Sequence, residues 1–118
     1  DPVVTKGLNM LYGPGNDLVS ATAMTAAGAH LILFSTGRGT PFSAPAPTLK
    51  ISTNTPLAEK KGGWIDFNTG VIADGEKTID EAAKDLLDLV IRVAGGEQTK
   101  AEKHGFREIS IFKDGVVL

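Results

Sequence analysis

The sequence predicts an α/β fold built on a mainly parallel sheet, and three observations carry that prediction. Short apolar runs of strand length recur along the chain and alternate with helical patterns. Capping residues and glycine stops mark where the helices begin and end. Loops rich in glycine and asparagine follow the apolar runs, as strand-to-helix turns do in such folds.

Taken in order, residues 8–12 (Leu-Asn-Met-Leu-Tyr) read as a first strand, broken by Gly13-Pro14-Gly15-Asn16. Asp17 then caps a helix, its carboxylate accepting from N–H groups of the first turn. That helix runs to about Ala27, and Gly28 stops it. Residues 30–35 are a second, buried strand that ends at Thr36-Gly37-Arg38-Gly39-Thr40. Pro41, Pro45 and Pro47 make the next segment a connection without ladder hydrogen bonds. Residues 48–53 form the third strand. Thr55 opens a short helix with Pro56 at its first position, and Gly62-Gly63 ends it. Residues 64–67 are a short fourth strand closed by Asn68-Thr69-Gly70, and Ala73-Asp74-Gly75-Glu76 is turn chemistry.

The clearest element is the helix Ile79–Ala94. Thr78 and Glu81 form a capping box, and Ile79, Ala82, Ala83, Leu86, Val90, Val93 and Ala94 share a face. A second capping box, Thr99 with Glu102, opens a short helix ending at Gly105. Residues 108–112 read as a fifth strand before an Asp114-Gly115 turn. The sum is one α/β domain over residues 1–118. Its sheet has about five strands, mainly parallel, with helices on both faces, a Rossmann-like variant.

Composition narrows the function. With 42% hydrophobic and 22% charged residues, the chain is ordinary for a soluble globular domain. A formal net charge of −2, with no block of like charge, favours neither nucleic acid nor a membrane surface as partner. The absence of cysteine excludes disulfides, thiolate metal sites and a cysteine nucleophile, and fits a cytoplasmic protein. No signal peptide or bilayer-spanning run is visible. The sequence opens on Asp1-Pro2 rather than methionine, as expected of a piece of a longer protein.

In an open parallel sheet, ligands bind beyond the carboxyl ends of the strands. That rule gathers Gly13, Gly15, Asn16 and Asp17 from one loop and Gly37, Arg38, Gly39 and Thr40 from the next, with Asn54 after the third strand. An arginine between two glycines combines a backbone free to approach a ligand with a planar fork that matches a carboxylate. The plainer reading is a tight turn with a solvated arginine, and both stay open at this level. The rule demotes His30, at the opposite edge, and His104 sits in a last helical turn where it suits the dipole. Asp66, inside a strand, reads as a structural hydrogen bonder, with a hard-metal ligand as the alternative. Lys50 is read as lying on an edge strand, because lysine is rarely buried unpaired. Gly13-Pro14-Gly15 lacks the dinucleotide fingerprint, and the arginine loop lacks the lysine of a P-loop.

The motifs "GPGND", "AAGAHLILFSTGRGTP", "LKISTN", "WIDFNTG" and "EKHGFREISIFKDG", in this order over nearly the whole chain, resemble the C-terminal part of the altronate and galactarate dehydratase family. Full-length members are considerably longer. The resemblance implies a hydro-lyase acting on sugar acids with a divalent metal, iron(II) or manganese. A sulfolactate sulfo-lyase branch shares the family, while "GRGTPF" and "WIDFNTG" lean toward altronate dehydratase-like members. On this reading the partners are a sugar-acid substrate and the upstream domain of the same enzyme, with a homo-oligomer as a further expectation. Arg38 and Lys50 become the catalytic candidates. The metal ligands are expected upstream, since this portion shows no full set. Two roles remain: a lining of the active site, or a structural lobe that stabilises the catalytic part or joins subunits.

Overall fold

The structure, a computed structural model, describes residues 2–13 and 15–105. Its sheet has three parallel strands, β1 (Ile32–Thr36), β2 (Thr48–Ser52) and β3 (Phe67–Asn68), in that spatial order. Five helices accompany it: α1 (Asp17–Ala26), α2 (Thr55–Lys60), α3 (Gly70–Ala73), α4 (Ile79–Ala94) and α5 (Lys100–Lys103). Among the described residues no helix is long and apolar enough to cross a membrane.

Among the described residues three strands stand where about five were expected for the whole chain. The first is missing for a physical reason: residues 8–12 carry a strand's apolar pattern but find no ladder partner among the described residues, and all are exposed. There Asn9 Nδ2 turns back to donate to the carbonyls of Thr5 (3.0 Å) and Gly7 (2.9 Å). The strand expected at 108–112 lies outside the described residues. β3 also begins later than expected, at Phe67 rather than residue 64, because Asp66 pairs through its N–H with the Lys50 carbonyl (2.9 Å) only as the chain reaches β2.

The helices follow their local chemistry. Both capping boxes, Thr78 with Glu81 and Thr99 with Glu102, are formed. Two caps fall one residue earlier than read. Asn16 rather than Asp17 caps α1, accepting from the Val19 N–H (3.2 Å), and Asn54 rather than Thr55 caps α2, accepting from the Leu57 N–H (2.9 Å). α3 was not expected at all; it occupies the stretch from Gly70 that reads locally as a turn.

Parallel neighbours need a crossover, usually a helix. Between β1 and β2 the proline-bearing segment 37–47 does this without regular structure. It is held by burial. Phe42, Ala44 and Ala46 form one core cluster with Ala21 and Ile32, and Leu18, Met24, Ala29 and Phe34 pack against it. Burying a side chain of isoleucine or phenylalanine size contributes about 1.5–3 kcal/mol, so the cluster fixes the crossover between α1 and the sheet. Thr48 Oγ1 secures its end, accepting from the Ala44 N–H (3.2 Å) and donating to the Ala46 carbonyl (3.1 Å).

Lys50 corrects the edge-strand reading. It lies in the middle of the central strand, 0% exposed, with Phe34 as its register partner. Its ammonium sits 5.3 Å over the ring of Phe42, which in turn meets Phe34 edge-on at 5.2 Å between centroids. A cation over an aromatic face gains from the ring quadrupole, most where water is excluded. α4 buries Ala82 and Val93 but leaves Ile79, Leu87 and Ile91 exposed. Its apolar arc is wider than what the described residues cover.

Candidate functional site

The three strands end in one row. Thr36 pairs in register with Ser52, and Ser52 with Asn68, so the loops at residues 37–40, 53–54 and 69–70 leave the sheet side by side. Hydrogen bonds then tie each loop to the next. The Thr36 carbonyl accepts from the Thr53 N–H (3.1 Å) and hydroxyl (3.3 Å). Asn54 Nδ2 donates to the Gly37 carbonyl (3.1 Å) while its Oδ1 caps α2, so one amide joins the arginine loop to a helix. Thr69 donates through N–H (2.9 Å) and hydroxyl (2.8 Å) to the Ser52 carbonyl. Asn68 accepts from the Gly70 N–H (2.8 Å) and donates to Thr55 Oγ1 (3.1 Å), whose hydroxyl donates to Asp74.

Gly70 makes this edge compact. A Cβ there would lie 2.4 Å from the Thr55 nitrogen and 2.7 Å from the Asn54 carbonyl carbon. Both are backbone atoms that cannot swing aside, so the start of α3 rests directly on the start of α2.

Arg38 sits at the head of this edge. Thr36 Oγ1 accepts from the N–H groups of Arg38 (3.3 Å) and Gly39 (2.9 Å), and the Arg38 carbonyl accepts from Lys61 Nζ (2.9 Å). Gly39 takes φ +82°, a conformation that favours glycine. Arg38 is exposed and forms no ion pair with a carboxylate among the described residues. Gly37 lies against Thr53, and Thr40 is half-buried at the start of the crossover.

The structure brings Gly37, Arg38, Gly39 and Asn54 together. Gly13, Gly15, Asn16 and Asp17 had been expected beside them on the strength of a strand at 8–12, which is not formed. Asn16 caps α1, Asp17 opens that helix, and a Cβ added at Gly13 or Gly15 meets nothing within 4 Å. Asp66 is the structural hydrogen bonder its position suggested: its carboxylate accepts from the N–H groups of Lys50 (2.9 Å) and Lys100 (2.8 Å), tying β2 to α5. His104 caps α5 and lies 3.2 Å from the Gly63 carbonyl, while His30 is exposed ahead of β1. Sequence reasoning missed Lys61 and the close approach at Gly70. Lys61 reads as one more lysine at a helix end, and only the spacing of Gly70 after Asn68 hints at a turn.

An open cleft of about 720 Å³ lies elsewhere, against β3 and α4. Asp66, Asp85 and Asp88 are among its lining residues, and its two cations are already engaged, Lys77 by Asp85 and Arg92 by Glu97. The hydrogen bond and charge of Asp85 hold the Lys77 ammonium above its ordinary pKa. Such a cleft suits an anionic ligand less well than the edge around Arg38 does. Among the described residues no three His, Cys, Asp or Glu side chains gather where a metal ion would be held. The described residues do not make a metal site.

The fold and the edge together define a small parallel α/β domain whose strand ends present an ordered polar loop system headed by an arginine. More particularly, the chain belongs to the D-galactarate/altronate dehydratase family, whose C-terminal domain profile matches residues 1–117. It is 48% identical to the altronate dehydratase of Escherichia coli K12 and 46% identical to that of Bacillus subtilis 168, each over 114 residues and 97% of this chain. It is 35% identical, over 95% of its length, to the galactarate dehydratase (L-threo-forming) of Escherichia coli K12. The chain spans only 22–23% of the length of these relatives.

Proposed function

We propose that this chain is the C-terminal lobe of a sugar-acid dehydratase, altronate-type by its higher identity to those relatives, and that its carboxyl edge receives the substrate carboxylate at Arg38. One observation carries the reading. The backbone of Arg38 is held from both sides at the ligand-binding edge of the sheet, while its guanidinium faces solvent and pairs with no carboxylate among the described residues.

The chemistry asks for such a group. Dehydration takes a proton from the carbon beside the carboxylate, and negative charge builds on the carboxylate oxygens. A bidentate arginine binds that group in the ground state and stabilises it more as the charge grows. Asn54 ties the loop to α2 by donating to the Gly37 carbonyl. Lys50 is not in the proposed contact set, because its side chain has no exposed surface. A divalent metal, iron(II) or manganese, belongs to the reading for the full-length enzyme and would assist departure of hydroxide. Its ligands, and the base, are proposed to lie upstream of this chain.

A second reading has its own support. The exposed Ile79, Leu87 and Ile91 on α4 suit a lobe that packs on the upstream domain or joins subunits. The two roles are compatible. The test is the full-length enzyme assayed on a panel of sugar acids with iron(II) or manganese, beside its Arg38→Lys variant. Lysine keeps the charge and loses the fork, so kcat/KM should fall about ten- to hundredfold with little change in stability. An unchanged kcat/KM would leave only the structural role. The isolated chain should be inert on altronate and galactarate with added metal.

A further inference from the structure

We propose that Lys61 is the positioning residue of the arginine loop, acting on the substrate only through Arg38. The inference rests on the reading of Arg38 given above. Lys60 and Lys61 end α2 together, where cations ordinarily reach into water and complement the helix dipole. Lys60 is exposed, as that rule expects. Lys61 is half-buried and bends back to the arginine loop.

Three contacts fix it there. Its ammonium donates to the Arg38 carbonyl at 2.9 Å, across 23 residues of sequence. The same ammonium lies 5.2 Å over the ring of Trp64, a second attraction for its charge. Its stem runs along Gly39, where a Cβ would lie 3.2 Å from Lys61 Cδ and 3.2 Å from Leu57 Cδ1. Lys61 and Leu57 thus fill the space that the glycine leaves, and Lys61 also grips the residue before it.

The consequence is specific to Arg38. Thr36 holds its N–H from within the turn, and Lys61 holds its carbonyl from another element. With both peptide groups fixed, the Cα–Cβ direction of Arg38 is fixed too, and the guanidinium departs from a set point. A catalytic fork misplaced by an ångström loses much of its value, so a residue that sets this direction matters without touching the substrate.

The experiment is a double-mutant cycle in the full-length enzyme, with altronate as the probe substrate. Lys61→Met keeps the stem and loses the donor; Lys61→Arg keeps a donor; Arg38→Ala removes the fork. Lys61→Met should lower kcat/KM about tenfold, with Lys61→Arg recovering most of it. In the Arg38→Ala background, Lys61→Met should cost less than about twofold more, since it has nothing left to position. Full additivity of the two losses, or no loss in Lys61→Met while Arg38→Ala is impaired, overturns the positioning role and spares the carboxylate reading. Unimpaired Arg38→Ala overturns the carboxylate reading and this inference with it. Should Lys61→Met fail to fold, Lys61→Gln enters the same cycle.

Discussion

The carboxyl edge of the sheet and the N-terminal segment 2–13 look alike in sequence and fold differently. Each has an apolar run followed by a loop with two glycines close together. At the edge, the loop after β1 is bonded to the loop after β2 and to α2 by hydrogen bonds that span 17 to 23 residues of sequence. In the N-terminal segment, Leu8, Met10 and Tyr12 are 97%, 92% and 103% exposed, and Asn9 bonds to its own neighbours. One tie to the rest is the Val3 N–H on the Ala27 carbonyl (2.9 Å). The lesson is that a strand pattern is a demand for a ladder and not a supply of one. A glycine-rich loop becomes a candidate site where other elements fix its backbone.

Substitutions can break or sharpen this contrast. Gly70→Ala should be the most damaging, because its Cβ must displace backbone at 2.4 Å. A loss of about 3 kcal/mol in chemical denaturation is expected, in the upper range for forced overpacking. A loss below about 0.5 kcal/mol would mean that the edge is loose, like the N-terminal segment.

Asn54→Ala removes both the α2 cap and the bond to Gly37 and should cost about 1–2 kcal/mol. Amide hydrogen exchange should then rise at Gly39 as well as in α2. Exchange rising in α2 alone would show that the arginine loop holds itself.

Leu8→Ser combined with Met10→Ser should change the stability of this chain by less than about 0.5 kcal/mol, since both side chains are exposed. The same pair tested in the full-length enzyme sharpens the comparison, because a large loss there would reveal a ladder or packing partner outside this chain. The smallest effect belongs to Gly15→Ala. It enters open space at a backbone angle outside the left-handed range, and a melting temperature unchanged or slightly raised is expected.

What the sequence determined on its own is whatever its neighbours within a few residues could settle. Thr78 with Glu81 and Thr99 with Glu102 announce their helices because a capping box closes over three residues. The runs at β1 and β2 announce strands, and their ends place Arg38 at the edge where ligands bind in such sheets. The same motifs carried the family resemblance. Even locally, the rule left a choice of cap: Asn16 or Asp17, Asn54 or Thr55, since each residue type can accept the same N–H. The tertiary structure decided the rest. Strand order put Lys50 in the centre, beneath Phe42, and no property of Lys50 or its neighbours in sequence fixes strand order. Residues 8–12 have a strand's pattern and no ladder among the described residues. Gly70 meets Thr55, and Lys61 meets Arg38, only because α2 folds back over the strand ends. Contacts of that kind depend on where distant segments come to rest, and a local pattern holds no record of it.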